Sequence, residues 1–271
     1  METRATLAHG GHNARMQRTP AMNPDGPTRA DHGDGNRAVV PLRVVLHGAR
    51  GRMGQRIAAC AAQASGCAIV AALDRDDALP ADGTGADVVV DFSSDAGAAR
   101  AATLAERLGC ALLVGTTGLS ADALGAVERA SRRVPAMVAP NTSLGVAVTR
   151  RLVTEAARLL GGWDVDIVET HHARKADAPS GTARSLADAV ARGRGKPLES
   201  SRIHAIRAGD VVGEHAVTWS GAGERVTVAH VATSRDLFAL GALRMAAWLV
   251  AQRPGIHVPD AWYEDFARAG G

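Results

Sequence analysis

The stretch PLRVVLHGARGRMGQRIAACAAQASGCAIVAALDRDD, residues 41–77, decides the fold. Its apolar run Leu42–Leu46 predicts a buried strand, and the glycine-bearing segment after it predicts a tight turn. A helix is expected from Met53 to about Ala64, then a second strand over Ala68–Leu73. Together they make one βαβ unit. The glycines fall at 48, 51 and 54, and Arg50 holds the place of the second glycine of GxGxxG. Alone the cluster says little, because many strand-to-helix turns use glycine for positive φ. Its context says more. The turn follows a strand and opens a helix, and Asp74 comes twenty residues after Gly54, at the end of the second strand. A dinucleotide site needs a carboxylate there for the ribose hydroxyls and a helix N-terminus for the pyrophosphate. Dinucleotide binding therefore outweighs a plain structural turn. Arg75 is either a solvated charge or a partner for a 2′-phosphate, so NADH and NADPH both stand.

The alternation continues beyond this unit. ADVVVDFSS (86–94), CALLVGTTG (110–118) and PAMVAPNTS (135–143) read as strands with polar ends, separated by alanine-rich helices over Ala96–Leu108 and Ala121–Ala130. Strands alternating with helices imply a doubly wound parallel sheet, whose ligands sit beyond the carboxyl ends of the strands. Gly115-Thr116-Thr117 and Asn141-Thr142 fall at such ends and offer small side chains and backbone amides to a nicotinamide ring. After Leu144 the pattern changes. A helix over 145–160 leads to the strand WDVDIVETHH, a polar loop and a second helix to about Arg192. Three β-rich runs then follow without intervening helices: SRIHAIRAG, GEHAVTWSG and ERVTVAHVAT. That order predicts an antiparallel or mixed sheet, hence a second, α+β domain. RDLFALGALRMAAWLVAQ reads as an apolar helix followed by a short tail.

Composition fits a soluble globular chain: of 271 residues, 46% are hydrophobic and 22% charged. A formal charge of +3 is too small to argue for nucleic acid, and there is no basic stripe with interleaved aromatics. No apolar run approaches the ~20 residues of a membrane span. Cys60, Cys67 and Cys110 form no CxxC pair, which suits free thiols in a reducing cytoplasm. Residues 1–40, rich in Gly, Arg, His, Asp and Pro, read as a disordered extension with no secretory h-region.

The densest chemistry lies in DIVETHHARKADAPSGTARSLADAV, residues 166–190. A metal site is a poor reading, because adjacent strand residues His171 and His172 face opposite ways and no zinc spacing is present. An anion pocket fits better. Ser180-Gly181-Thr182 opens a helix whose free N–H groups and dipole attract a carboxylate, and Gly181 allows close approach. Lys175 adds a full charge, and a histidine can donate a proton near neutral pH. A capped helix beside solvated His and Lys would explain any one of these residues but not their concentration.

ETHHARKADAPSGTA closely resembles the signature of the dihydrodipicolinate reductase family, and GARGRMG, VVVDFSS, VGTTG, APNTSLGV, RAGDVVGEH and SRDLFALGAL resemble its other blocks in the same order. The resemblance runs from about Leu42 to Trp248. It implies NADH- or NADPH-dependent reduction of 4-hydroxy-tetrahydrodipicolinate on the diaminopimelate route to lysine. It also implies that His171 is the proton donor/acceptor and Lys175 a second donor that contacts substrate. His172, Gly181 and Thr182 match dicarboxylate-binding positions. Gly48, Ala49, Arg50, Gly51, Arg52, Met53, Asp74, Arg75, Gly115, Thr116, Thr117, Ala139, Pro140, Asn141 and Thr142 match dinucleotide contacts. The resemblance further implies a Rossmann-like domain over 41–142 completed by 235–271, a substrate and oligomerisation domain over 143–234, and a homotetramer without metal, nucleic acid or membrane. The segments 77–87 and 196–207 are shorter than in many relatives, which touches cofactor preference and closure more than chemistry. The competing readings are a related reductase or amine dehydrogenase acting on another small imine or amino acid, and a nucleotide sensor without turnover. A sensor has no need of the His171, Lys175 and Ser180-Gly181-Thr182 set.

Overall fold

The computed structural model describes residues 41–63, 66–80 and 85–269. The expectation of a disordered extension over 1–40 lies outside them.

The opening βαβ unit forms as read: β1 (Leu42–His47), α1 (Arg52–Gln63) and β2 (Cys67–Leu73). The alternation continues through β3 (Val88–Asp91), α2 (Asp95–Leu108), β4 (Ala111–Val114), α3 (Ala121–Ser131) and β5 (Pro135–Val138). Next come α4 (Leu144–Leu159), β6 (Asp164–His171), α5 (Gly181–Arg194), β7 (Ile203–Arg207), β8 (Gly213–Ser220) and β9 (Arg225–Ala232). The chain closes with α6 (Asp236–Val250), β10 (Gly255–His257) and α7 (Pro259–Arg268). The last two elements replace the short tail expected from sequence. A strand of three residues, set between Pro254 and Pro259, carries too little pattern to announce β10, yet it pairs in parallel with β5.

Six parallel strands form one sheet in the order β10-β5-β4-β3-β1-β2. Strands β3 and β4 are buried along their whole length, which is why VVVD and ALLV read as apolar runs rather than alternations. One face packs under α1, α6 and α7 through Leu46, Ile57, Leu113, Met137 and Trp262. The other packs under α2 and α3, where alanines 98, 101, 102 and 105 let the helix lie close to Val89 and Leu112. Cys60 and Cys110 are buried free thiols, and burial pushes Cys110 up to about 11, so it is inert at neutral pH.

The second sheet has the order β7-β6-β8-β9 and is mixed: β6 pairs with β7 in parallel and with β8 antiparallel. Strand β6 alternates strictly, with Val165, Ile167, Glu169 and His171 inward. This inner face packs on α4 and α5 around Trp219, Ile167 and Leu186. The outer face leaves Val168, Ile206 and Val231 exposed.

The order of the parallel sheet reverses between β1 and β3, because β2 lies outside β1 on one side while β3, β4 and β5 run to the other. Ligands bind beyond the carboxyl ends at such a switch point. Everything below lies at those ends.

Candidate active site

A cleft of about 1140 Å³ opens there, lined at one end by Gly51, Arg52, Met53, Gly115, Thr116 and Thr117 and at the other by His171, His172, Lys175, Gly181 and Thr182. That volume exceeds the ~300–1,000 Å³ of an ordinary small-molecule pocket, so it leaves room for a cofactor and a substrate together. A smaller cavity of about 200 Å³ adjoins the glycine turn and is lined by His47, Gly48, Asp74 and Arg75 among others.

The turn is built for backbone approach. Gly48 sits at φ +82, and a Cβ there would stand 2.4 Å from the carbonyl oxygen of Phe92. A Cβ at Gly54 would stand 2.2 Å from the Gly48 oxygen, so α1 can start this close to β1 only with glycine. Helix α1 has no acid in its first turn, and Arg52 opens it beside the cleft. A bare helix N-terminus with an arginine suits a pyrophosphate. Asp74 accepts from the Arg50 backbone N–H at 3.1 Å, which fixes its carboxylate at the end of β2. These features fit a dinucleotide.

Other expected cofactor residues serve differently from one another. Thr116 spends its hydroxyl inside the protein: it donates to Asp91 at 2.5 Å and accepts from the Ser93 N–H at 2.8 Å. What it can offer a ligand is backbone. Thr142 donates to the Phe238 carbonyl at 2.7 Å and so faces α6. Pro140 and Asn141 line the cleft; Ala49, Arg50 and Ala139 are not among its lining residues, and Ala139 is buried in the core. Asn141 joins the two ends, because its side-chain amide donates to the Thr182 hydroxyl at 3.1 Å.

At the other end a buried ionic network holds His171. Its Nδ1 donates to Glu169 at 2.5 Å, and Glu169 is fully buried two residues earlier on the same face of β6. Arg207 places a fork on both Glu169 oxygens at 2.9 Å, and the Ser180 N–H adds a third donor at 3.0 Å. Burial pushes the Glu169 carboxyl up, but Arg207, His171 and Ser180 together outweigh it and hold it below the usual range. An ionised Glu169 fixes the tautomer of His171 and leaves Nε2 as the working nitrogen. Opposite that nitrogen stands Gly213, where a Cβ would come within 3.0 Å of it.

Ser180 is the N-cap of α5: its hydroxyl accepts from the Ala183 N–H at 3.1 Å and meets His215 Nε2 at 3.1 Å. Burial first, then the neighbouring His171, pushes His215 down to about 4, so it is neutral and accepts the Ser180 proton. The N–H groups of Gly181 and Thr182 lie in the first turn and have no helical carbonyl to bond. Lys175 donates to Asp177 at 2.7 Å at the rim.

His171 and His172 are expected to face apart for as long as the strand continues. Strand β6 ends at His171, so the alternation stops and both histidines line the cleft. Burial, then Arg235 and Arg174, lowers His172 from its ordinary value. The sequence reading missed Glu169, Arg207 and His215. Glu169 was accessible to it, since a period of two puts residue 169 on the face of residue 171. Arg207 was not, because only the β6–β7 register sets it beside His171.

The family "Dihydrodipicolinate reductase, N-terminus" matches residues 42–142, and "Dihydrodipicolinate reductase, C-terminus" matches 145–259. The chain is similar to the 4-hydroxy-tetrahydrodipicolinate reductase of Stenotrophomonas maltophilia strain K279a, with 45% identity across 79% of this chain and 95% of that protein. It is also similar to the one from Caldanaerobacter subterraneus subsp. tengcongensis, with 37% identity across 84% and 99%. Among solved structures, a dipicolinate-bound dihydrodipicolinate reductase from Paenisporosarcina sp. TG-14 shares the fold, with a TM-score of 0.66 and 24% identity over 81% of this chain and 98% of that one. With both halves matched and relatives this similar along nearly their whole length, the chain belongs to the dihydrodipicolinate reductase family.

Proposed function

We propose that this enzyme reduces 4-hydroxy-tetrahydrodipicolinate to tetrahydrodipicolinate with NADH or NADPH, in the diaminopimelate route to lysine. The observation that carries the reading is the convergence of a held histidine, a helix N-terminus and a dinucleotide turn on one cleft. Loss of the substrate's 4-hydroxyl as water would leave an unsaturated carbon, and a dihydronicotinamide held in the cleft would supply a hydride to that carbon and be oxidised to the nicotinamide cation. His171 delivers the balancing proton from Nε2, while Glu169 and Arg207 keep the ring oriented. Gly181, Thr182 and the α5 N-terminus hold one carboxylate; Lys175 leaves Asp177 to meet the dicarboxylate, and His172 lies on the same wall. Residues 41–142 with 235–271 form the cofactor half, and 143–234 the substrate half.

Cofactor use is dual with a lean to NADH. Asp74 accepts from ribose hydroxyls and repels a 2′-phosphate, which Arg75 offsets only in part. The exposed Val168, Ile206 and Val231 on the outer face of the second sheet support assembly through that face into a homotetramer. The free thiols support a cytoplasmic location, and among the described residues no helix is long and apolar enough to cross a membrane.

The test is oxidation of NADH and NADPH by the full chain, with the coupled product of dihydrodipicolinate synthase as substrate. Turnover with at least one cofactor is expected. No turnover with either, in a folded protein, overturns the proposal.

A further inference from the structure

The glycine turn hides a side chain that the reductase reading does not use. His47 is the last residue of β1, at the switch point, and is 1% exposed. Its Nδ1 donates to Asp91 at 2.7 Å, and Asp91 is itself fully buried at the end of β3. Asp91 also accepts from the hydroxyls of Ser93 and Thr116, each at 2.5 Å. Every hydrogen-bonding atom in this group is engaged except one. His47 Nε2 is buried and has no partner.

An orphaned buried ring nitrogen is costly, and native structures seldom leave one without a reason. Here the surroundings supply one. His47 lines the 200 Å³ cavity shared by Gly48, Asp74 and Arg75, beside the carboxylate that suits an adenosine ribose. The ring is also made room for. A Cβ at Gly97, in the first turn of α2, would stand 3.0 Å from His47 Cε1 and 2.1 Å from the Ser93 hydroxyl. A larger residue at 97 would displace the ring and the serine that shares its carboxylate.

We propose that His47 Nε2 is a binding contact for the adenosine half of the dinucleotide, with Asp91 as the residue that positions the ring. Asp91 accepts the hydrogen bond from Nδ1–H, so in that tautomer Nε2 presents a lone pair. The ligand group it fits is a hydroxyl or amino donor of the adenosine moiety. The inference rests on the reading of this cleft as a dinucleotide site. It assigns to that site a side chain lying between the glycine turn and Asp74. The same Asp91 holds Thr116 at the nicotinamide end, so one buried carboxylate sets both ends of the cofactor track.

The test uses ADP-ribose, which lacks nicotinamide and so reports the adenosine half alone. Calorimetric Kd values are measured for the wild type and two variants, with melting temperatures as a check on folding. His47→Asn keeps a donor for Asp91 and loses the distal nitrogen, and should weaken ADP-ribose by ~5–10-fold, about one hydrogen bond. His47→Gln reaches the position of Nε2 and loses the Asp91 contact, and should bind within ~2-fold of wild type but melt lower. In wild-type protein with 15N-labelled histidine, a buried ring Nε2 resonance should move on adding ADP-ribose. That arm decides the matter if neither variant folds. Unchanged ADP-ribose affinity in folded His47→Asn, or no buried histidine resonance that responds, overturns the proposal while leaving the dinucleotide site standing. Failure of the wild type to bind ADP-ribose, NADH or NADPH removes the reductase reading itself.

Discussion

Under the proposed function, the two ends of the cleft meet the same problem, recognition of an anionic ligand, by opposite means. At the proposed substrate end the protein uses side chains, and they are paired with one another: Glu169 with His171 and Arg207, Ser180 with His215, Asn141 with Thr182. At the cofactor end it uses backbone, exposed by glycine at 48 and 54 and by the bare start of α1. A prepaid side-chain network is rigid and selective but fails badly when one member is removed. A backbone cradle tolerates change at most positions, and its selectivity rests on few side chains, chiefly Asp74. The substrate end should therefore be the brittle one.

The largest effects are expected at its centre. His171→Gln should lower kcat by ~10²–10⁴-fold, the usual range for loss of a general acid, with little change in melting temperature. Glu169→Gln should lower kcat in the same direction and also destabilise the fold by roughly 3–5 kcal/mol, because Arg207 is left without its counter-charge. Steady-state kinetics and denaturant melts on both variants separate the two roles. Equal stability of the two would break the claim that Glu169 anchors the network.

The next effect is on stability and follows from His215. Its ring resists protonation down to about pH 4 in the folded protein, while an unfolded histidine takes its proton near 6.5. The unfolded chain thus binds more protons between these values, and stability falls as pH drops from about 6.5 towards 4. The full loss is about 3 kcal/mol. Denaturation midpoints across this window should flatten in His215→Gln. An unchanged slope would mean that His215 is not held neutral.

Much of this was legible in the sequence, for a physical reason. Period and punctuation reveal elements that are buried on both faces or strictly alternating, so β1, β2, β6 and the helices between them were readable to within a residue or two, while β3, β4 and β5 stop three to five residues before the ends read for them, where the chain turns into polar loops. Adjacent residues on one segment were readable too, which is why His171, Lys175 and Ser180 to Thr182 could be gathered into one site. Contacts made by register were not. Arg207 reaches Glu169 only because β7 pairs with β6, and Asp91 reaches His47 only because β3 lies beside β1. Strand β10 was lost because three residues cannot show a period.

Smaller effects sharpen the contrast at its edges. Thr182→Val should weaken pyridine-2,6-dicarboxylate by about tenfold through one lost hydroxyl, and should change kcat less. Lys175→Met should damage both constants, since its charge can hold the ligand and assist protonation. At the cofactor end, Asp74→Ala should raise the NADPH-to-NADH ratio of kcat/KM several-fold without reducing overall turnover as His171→Gln does. If that ratio does not move, Asp74 is not at the adenosine ribose.

The central claim is that one cleft holds both ligands at once, each at its own end. Titration of pyridine-2,6-dicarboxylate into the enzyme, first alone and then saturated with NADH, tests it directly. The account predicts a ternary complex, with the dicarboxylate binding the NADH-saturated enzyme at least as tightly as the free one. Mutual exclusion, with the apparent Kd of the dicarboxylate rising in proportion to NADH, would show that the two compete for one subsite and would contradict it.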